Sequence, residues 1–130
     1  MNDRQIVLLV DDEPMVRNLI RTTLQSLDCE VVEAGSGMEA VQLFKRRRAR
    51  IALLLTDIAM PGMAGDELAT ILTGLFPELP VLFISATGKQ LPPGLQHFQC
   101  LHKPFRLDVL TRTVANMLRD RGERMQPSGT

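Results

Sequence analysis

The chain has 130 residues, 45% of them hydrophobic, with 15 Lys plus Arg balanced by 15 Asp plus Glu for a formal net charge of zero. That is one domain's length, with enough apolar residues to build a real core. The charge balance offers no broad field for nucleic acid or a membrane surface, and no apolar run approaches the roughly 20 residues that span a bilayer.

The segment Met1-Asn2-Asp3-Arg4-Gln5 has no signal-peptide shape and leads directly into a strand. The two cysteines, Cys29 and Cys100, read as reduced thiols of a cytoplasmic protein rather than a disulfide framework. From there apolar runs alternate with helical spacings, the mark of βα repeats and a parallel sheet. The first strand is predicted over about 5–10, and Pro14 suits the first turn of the helix after it. In that helix Val16, Leu19, Ile20, Thr23, Leu24 and Leu27 recur at helical spacing. A second strand over about 30–34 meets Gly35-Ser36-Gly37, which turns into a helix carrying Ala40, Val41 and Phe44. The third strand is about 51–56, and a turn through Pro61 and Gly65 precedes a helix with Leu68, Leu72 and Leu75. The fourth strand is about 80–84. Beyond it, Gly88 to Gly94 includes Pro92 and Pro93, which lack a donor and clash with a preceding turn, so the fourth helix should be short or distorted. The fifth strand, about 99–102, leads to a last helix over about 106–121, with Leu107, Leu110, Val114, Met117 and Leu118 inward and Gly122 placed to end it. One domain over 1–123 and a disordered tail over 124–130 complete the expected organisation.

Polar groups close these strands. Asp11 and Asp12 follow the first, Asp57 the third, Ser85 the fourth and Lys103 the fifth. In an open parallel sheet the carboxyl ends of the strands share one edge, where ligands bind. Three crowded carboxylates repel one another, so such a cluster suits a hard cation. Asp12 and Asp57 are placed to ligate Mg²⁺ directly and Asp11 to reach it through water. A carboxylate beside the metal can attack phosphorus and form an acyl phosphate. Lys103 and Ser85 would then meet the phosphoryl oxygens with a positive charge and a hydroxyl, and the small Ala86 leaves room for the incoming group.

Four motifs carry these residues: Val10-Asp11-Asp12-Glu13, Thr56-Asp57 through Gly65, Ile84-Ser85-Ala86 and Lys103-Pro104-Phe105. Over about residues 5–121 the chain resembles a response-regulator receiver domain of two-component signalling, of the kind fused to hybrid histidine kinases. The resemblance implies a flavodoxin-like, doubly wound α/β fold: a five-stranded parallel sheet in order 2-1-3-4-5 with helices on both faces. It implies Asp57 as phosphoacceptor, with a histidine kinase or histidine phosphotransfer protein as donor. It implies Mg²⁺ held by Asp12, Asp57 and the backbone carbonyl of Ala59, and a cis Lys103–Pro104 bond. Such a module catalyses only its own phosphorylation and dephosphorylation and turns over no metabolite. Ala59 and Thr87 occupy the two positions that govern hydrolysis of the acyl phosphate in the family.

One departure concerns output. The family passes its signal from the Ser/Thr hydroxyl to an aromatic side chain three residues before the lysine, and here that position is Cys100, in a chain without Tyr or Trp. The expectation is that the signal is read through backbone shifts of 85–98, or that the module mainly relays phosphate. The downstream effector is not named by the sequence.

Other signals have plainer readings. Gly35-Ser36-Gly37-Met38-Glu39-Ala40 fits a dinucleotide fingerprint but reads as a βα turn. Arg46-Arg47-Arg48-Ala49-Arg50 complements a helix C-terminus. His97 and His102 lack metal-ligand companions, and Cys100 reads as structural. Two alternative functions compete. One is a phosphate-independent pseudo-receiver that binds protein, which the full set of site residues argues against. The other is a haloacid-dehalogenase-type phosphohydrolase, which needs a second Asp where Ala59 stands. With no helix-turn-helix and no basic domain, this chain alone is not expected to bind nucleic acid.

Overall fold

The interior strand β1 (Gln5–Val10) displays the logic of the architecture. Successive side chains of a strand point to opposite faces. Ile6, Leu8 and Val10 enter one apolar cluster, and Val7 and Leu9 enter another on the far side. A strand that must bury both faces reads as a continuous apolar run, and so it does here and in β3 (Ile51–Asp57) and β4 (Val81–Ser85), which are buried along their whole lengths. The remaining strands, β2 (Cys29–Ala34) and β5 (Gln99–His102), are the edges and are only partly buried.

These elements belong to a computed structural model that describes residues 4–47, 50–86 and 91–125. All pairings are parallel and the strand order is β2-β1-β3-β4-β5. The expected doubly wound five-stranded sheet is therefore present. The helices are α1 (Pro14–Leu24), α2 (Gly37–Arg47), α3 (Gly65–Leu75) and α4 (Leu107–Met125). Ala40 and Phe44 of α2 and Leu68, Ala69 and Leu72 of α3 cover one face. Ile20 and Leu24 of α1 and Leu110, Val114, Met117 and Leu118 of α4 cover the other.

Local readings change at four residues. Leu19, Leu75 and Leu107 share the helical spacing of their core neighbours but are 49%, 42% and 41% exposed. Leu107 is the first residue of α4, while Leu19 lies aside from Ile20 and Leu24, the buried positions of α1. Gly122 does not terminate the last helix, which continues to Met125. A glycine ends a helix only when the chain turns left-handed there, and this one stays helical. Residues 126–130 of the expected tail lie outside the described residues.

The connection from β4 to β5 differs most from a regular βα repeat. The short or distorted helix is expected over Gly88 to Gly94, of which 88–90 lie outside the described residues; across 91–98 the described chain makes two successive turns, closed by Leu95 N–H donating to Pro92 O at 3.1 Å and Phe98 N–H to Leu95 O at 3.1 Å. Gly94 takes φ +88°, a conformation that a side chain would strain. Leu91, Leu95 and Phe98 still reach the α2–α3 side core, with the Phe98 ring edge-on to Phe83 at 5.9 Å. Over the described residues 91–98 apolar cover is thus supplied by turns rather than by a regular helix.

Candidate phosphoacceptor site

Parallel strands deliver their C-terminal residues to one edge of the sheet. There Asp57 ends β3, Ser85 ends β4, Asp11 and Asp12 follow β1, and Lys103 follows β5. One carboxylate oxygen from each of Asp11, Asp12 and Asp57 lies within 4.8 Å of the others. Lys103 Nζ donates to Asp57 Oδ2 at 3.2 Å. Asp11, Asp12, Asp57 and Lys103 are therefore brought together at this edge, and Ser85 ends the neighbouring strand there. Asp11, Asp57 and Ser85 are 1%, 6% and 3% exposed, whereas Asp12 lies open to solvent. Ala59 is exposed in the loop after β3, two residues beyond Asp57. Thr87 lies outside the described residues.

Asp11 has the most perturbed environment. Glu13 N–H donates to its Oδ1 at 2.9 Å, while Oδ2 is buried with no hydrogen-bond partner. Burial pushes the Asp11 carboxyl above its ordinary value of 3.8, and the Asp57 and Asp12 carboxylates push the same way against the Glu13 N–H and Lys103. A buried, orphaned carboxylate oxygen beside two more carboxylates fits a hard divalent cation, which takes oxygen ligands and neutralises their repulsion.

The backbone fixes these groups. Ile58 N–H donates to Ile84 O at 3.1 Å, and Lys103 N–H to Ser85 O at 2.8 Å, so the ends of β3, β4 and β5 are stitched together beyond the strands. The Lys103–Pro104 peptide is cis. Thr56 Oγ1 donates to Asp57 O at 2.9 Å. The first residue of α3 seats directly on this peptide. Gly65 N–H donates to Ile58 O at 2.8 Å, and a Cβ at Gly65 would fall 2.0 Å from Asp57 O. Glu67 accepts from Ala64 N–H at 3.2 Å, half of a capping box, since alanine has no side-chain acceptor to complete it. Met63 packs against the start of α2, where a Cβ at Gly37 would lie 2.7 Å from its Sδ.

The signals set aside find other partners. Ser36 Oγ accepts from Glu39 N–H at 3.2 Å while Glu39 Oε1 accepts from Gly35 N–H at 2.6 Å, so the glycine-rich turn caps the start of α2. Arg47 and Arg50 approach Glu30 at 3.1 and 3.9 Å, while Arg48 and Ala49 lie outside the described residues. His97 stacks on Phe98 with ring centroids 4.2 Å apart, and His102 is exposed. Cys100 is half-buried beside Phe83, and burial pushes its thiol above the ordinary 9.0, against a reactive thiolate. Sequence reasoning did not single out Arg17, whose Nη1 donates to Asp11 O at 2.6 Å. Its partner is a main-chain carbonyl, so residue type carried no signal for it.

The response regulator receiver domain family model matches residues 7–115. The sensor kinase CckA of Brucella abortus is 36% identical over 117 residues, covering 86% of this chain and 12% of that protein. The sensor histidine kinase RcsC of Salmonella typhimurium is 35% identical over 120 residues, covering 88% of this chain and 12% of that protein. The chain thus spans about an eighth of the length of these curated relatives. The crystal structure of the receiver domain of the hybrid histidine kinase CckA aligns with a TM-score of 0.74 at 31% identity, over 87% of this chain and 98% of that one. Sequence, fold and site edge converge: the chain belongs to the response regulator receiver family, the regulatory module of two-component systems.

Proposed function

We propose that this receiver accepts a phosphoryl group on Asp57 from a phosphohistidine of a histidine kinase or histidine phosphotransfer protein, and so relays or switches a two-component signal. The observation that carries the reading is the setting of Asp57: a buried carboxylate that accepts from Lys103 at 3.2 Å and lies within 4.8 Å of Asp11 and Asp12. A carboxylate oxygen of Asp57 attacks phosphorus, the P–N bond to the imidazole breaks, the imidazole nitrogen keeps the electron pair and takes up a proton, and an acyl phosphate remains. Asp11, Asp12, Asp57 and the Ala59 carbonyl are the groups that would hold Mg²⁺, which when bound neutralises charge on the phosphoryl oxygens. Lys103 stands beside the same oxygens, and the Ser85 hydroxyl, whose contact in this state is a long 3.4 Å approach to Ala86 O, is free to turn toward them. With both described cysteines unpaired, the cytoplasm, where kinases phosphorylate receivers, is the compartment that fits. Among the described residues, no helix is long and apolar enough to cross a membrane.

Incubation with acetyl phosphate and Mg²⁺ tests the reading by intact mass. The expected result is one added phosphoryl group, lost on omitting Mg²⁺ and in Asp57→Asn. No adduct, together with no response to beryllofluoride, would replace this reading with a phosphate-independent protein-binding module. In the same assay Lys103→Gln is expected to slow phosphorylation about a hundredfold, the usual cost of removing one preorganised charge stabiliser. A rate within twofold of wild type would remove Lys103 from the chemistry.

A further inference from the structure

We propose that Arg17 is a positioning residue for the cation site: its guanidinium fork clamps the peptide that joins Asp11 to Asp12. This inference rests on the phosphoacceptor reading and assigns it a residue outside the cluster.

Arg17 lies on α1 with its side chain 20% exposed. Nη1 donates to Asp11 O at 2.6 Å, and Nε donates to Glu33 Oε1 at 3.3 Å. Glu33 is itself held. It pairs with Leu9 in the β1–β2 register, and its Oε2 meets Arg21 Nε at 2.8 Å. The fork therefore spans from a fixed point on β2 to the carbonyl between two of the three site carboxylates. A surface ion pair alone would need only Glu33, and exposed pairs of that kind contribute little. The bond to a backbone carbonyl is what gives Arg17 leverage on the site. Asp11 N–H donates to Ala34 O at 3.2 Å and Oδ1 accepts from Glu13 N–H, so Asp11 is tied through its amide, its carbonyl and its side chain. Only the tie to its carbonyl depends on a side chain elsewhere in the sequence. The neighbouring backbone makes room for the fork: a Cβ at Gly35 would lie 3.2 Å from Arg17 Nη1, tighter than ordinary contact. The orientation of the Asp11–Asp12 peptide sets where the Asp12 side chain departs. Loosening it scatters a ligand without touching the nucleophile, and partners beyond the ligands commonly shift metal affinity by about 10–100-fold.

The test compares wild type with Arg17→Gln, Arg17→Lys and Glu33→Gln, reading the Mg²⁺ concentration that gives half of the full rise in melting temperature. Arg17→Gln is expected to raise that midpoint about tenfold, and Arg17→Lys to recover only part of it, because an ammonium cannot bridge two acceptors as a planar fork does. Glu33→Gln should fall between. With acetyl phosphate, the defect should appear at low Mg²⁺ and vanish at saturating Mg²⁺. Should Arg17→Gln melt far below wild type in EDTA, Arg17→Lys decides: a wild-type melting temperature with a shifted Mg²⁺ midpoint supports the clamp, and an unshifted midpoint overturns it. Variants that all respond to Mg²⁺ as wild type does overturn the inference alone. A wild-type chain that ignores Mg²⁺ overturns the phosphoacceptor reading, and the inference with it.

Discussion

Gly65→Ala is expected to cost about 3 kcal/mol of stability and to abolish phosphorylation of Asp57, the upper range for overpacking a close contact. The added methyl would meet the Asp57 carbonyl oxygen at 2.0 Å, its carbon at 2.9 Å and Ile58 Cα at 2.9 Å. All three are backbone atoms, so no side-chain rotation relieves the clash. Either α3 lifts, and Leu68, Ala69 and Leu72 leave the core with it, or the end of β3 shifts. The second response breaks the Ile58 N–H bond to Ile84 O and moves the nucleophile away from Lys103. Urea unfolding followed by far-ultraviolet circular dichroism measures the loss as a lowered midpoint. Gly74→Ala is the matched control, since it lies in the same helix with nothing within 4 Å of its would-be Cβ. It should stabilise by about 0.5–1 kcal/mol, because alanine loses less backbone entropy on forming helix. Equal midpoints for the two variants would show that α3 does not rest on the Asp57 peptide.

The contrast between these glycines also explains what the sequence made legible. The sheet order followed from the family resemblance that the motifs carry, and its membership from apolar runs, because a strand buried on both faces must be apolar throughout, as Ile6 to Val10 and Ile51 to Leu55 are. The acid cluster was legible for the same reason, since strand ends in a parallel sheet converge by topology. Contacts that depend on closeness rather than on period were not. Nothing in the spacing distinguishes Gly65, wedged on a carbonyl, from Gly74, facing open space. Leu19 and Leu107 satisfy the helical period yet stay exposed, since an apolar residue at helical spacing need not fall on the buried line of its helix, which in α1 runs through Ile20 and Leu24. The β4–β5 connection was half legible. Pro92 and Pro93 foretold a damaged helix, but the replacement of its cover by Leu91, Leu95 and Phe98 depends on where those side chains land. Arg17 was hidden because its partner is a main-chain carbonyl, which leaves no trace in residue type.

Asp11→Asn is expected to make the metal-free protein more stable at pH 7 by about 1–3 kcal/mol, the range for relieving an uncompensated buried polar group, while removing most of the stabilisation that Mg²⁺ confers. Burial, seconded by the neighbouring carboxylates, raises the Asp11 carboxyl in the folded chain above its ordinary 3.8. The folded state therefore holds that proton more tightly than the unfolded state. Where the folded chain binds more protons, stability falls as pH rises, so this contribution is fully present below 3.8 and is lost on rising through the raised folded value. Asparagine carries no such charge. Its carbonyl can still accept from Glu13 N–H, and its amide can donate toward Asp12 and Asp57, replacing repulsion with a hydrogen bond. In EDTA, the difference in melting temperature between variant and wild type should widen from pH 4 to pH 7. Adding Mg²⁺ should reverse the order, because wild type gains binding energy from three acids and the variant from two. A variant less stable than wild type in EDTA at pH 7 would mean that Asp11 is compensated without a cation, and the case for a metal built on its orphaned oxygen would fall with it.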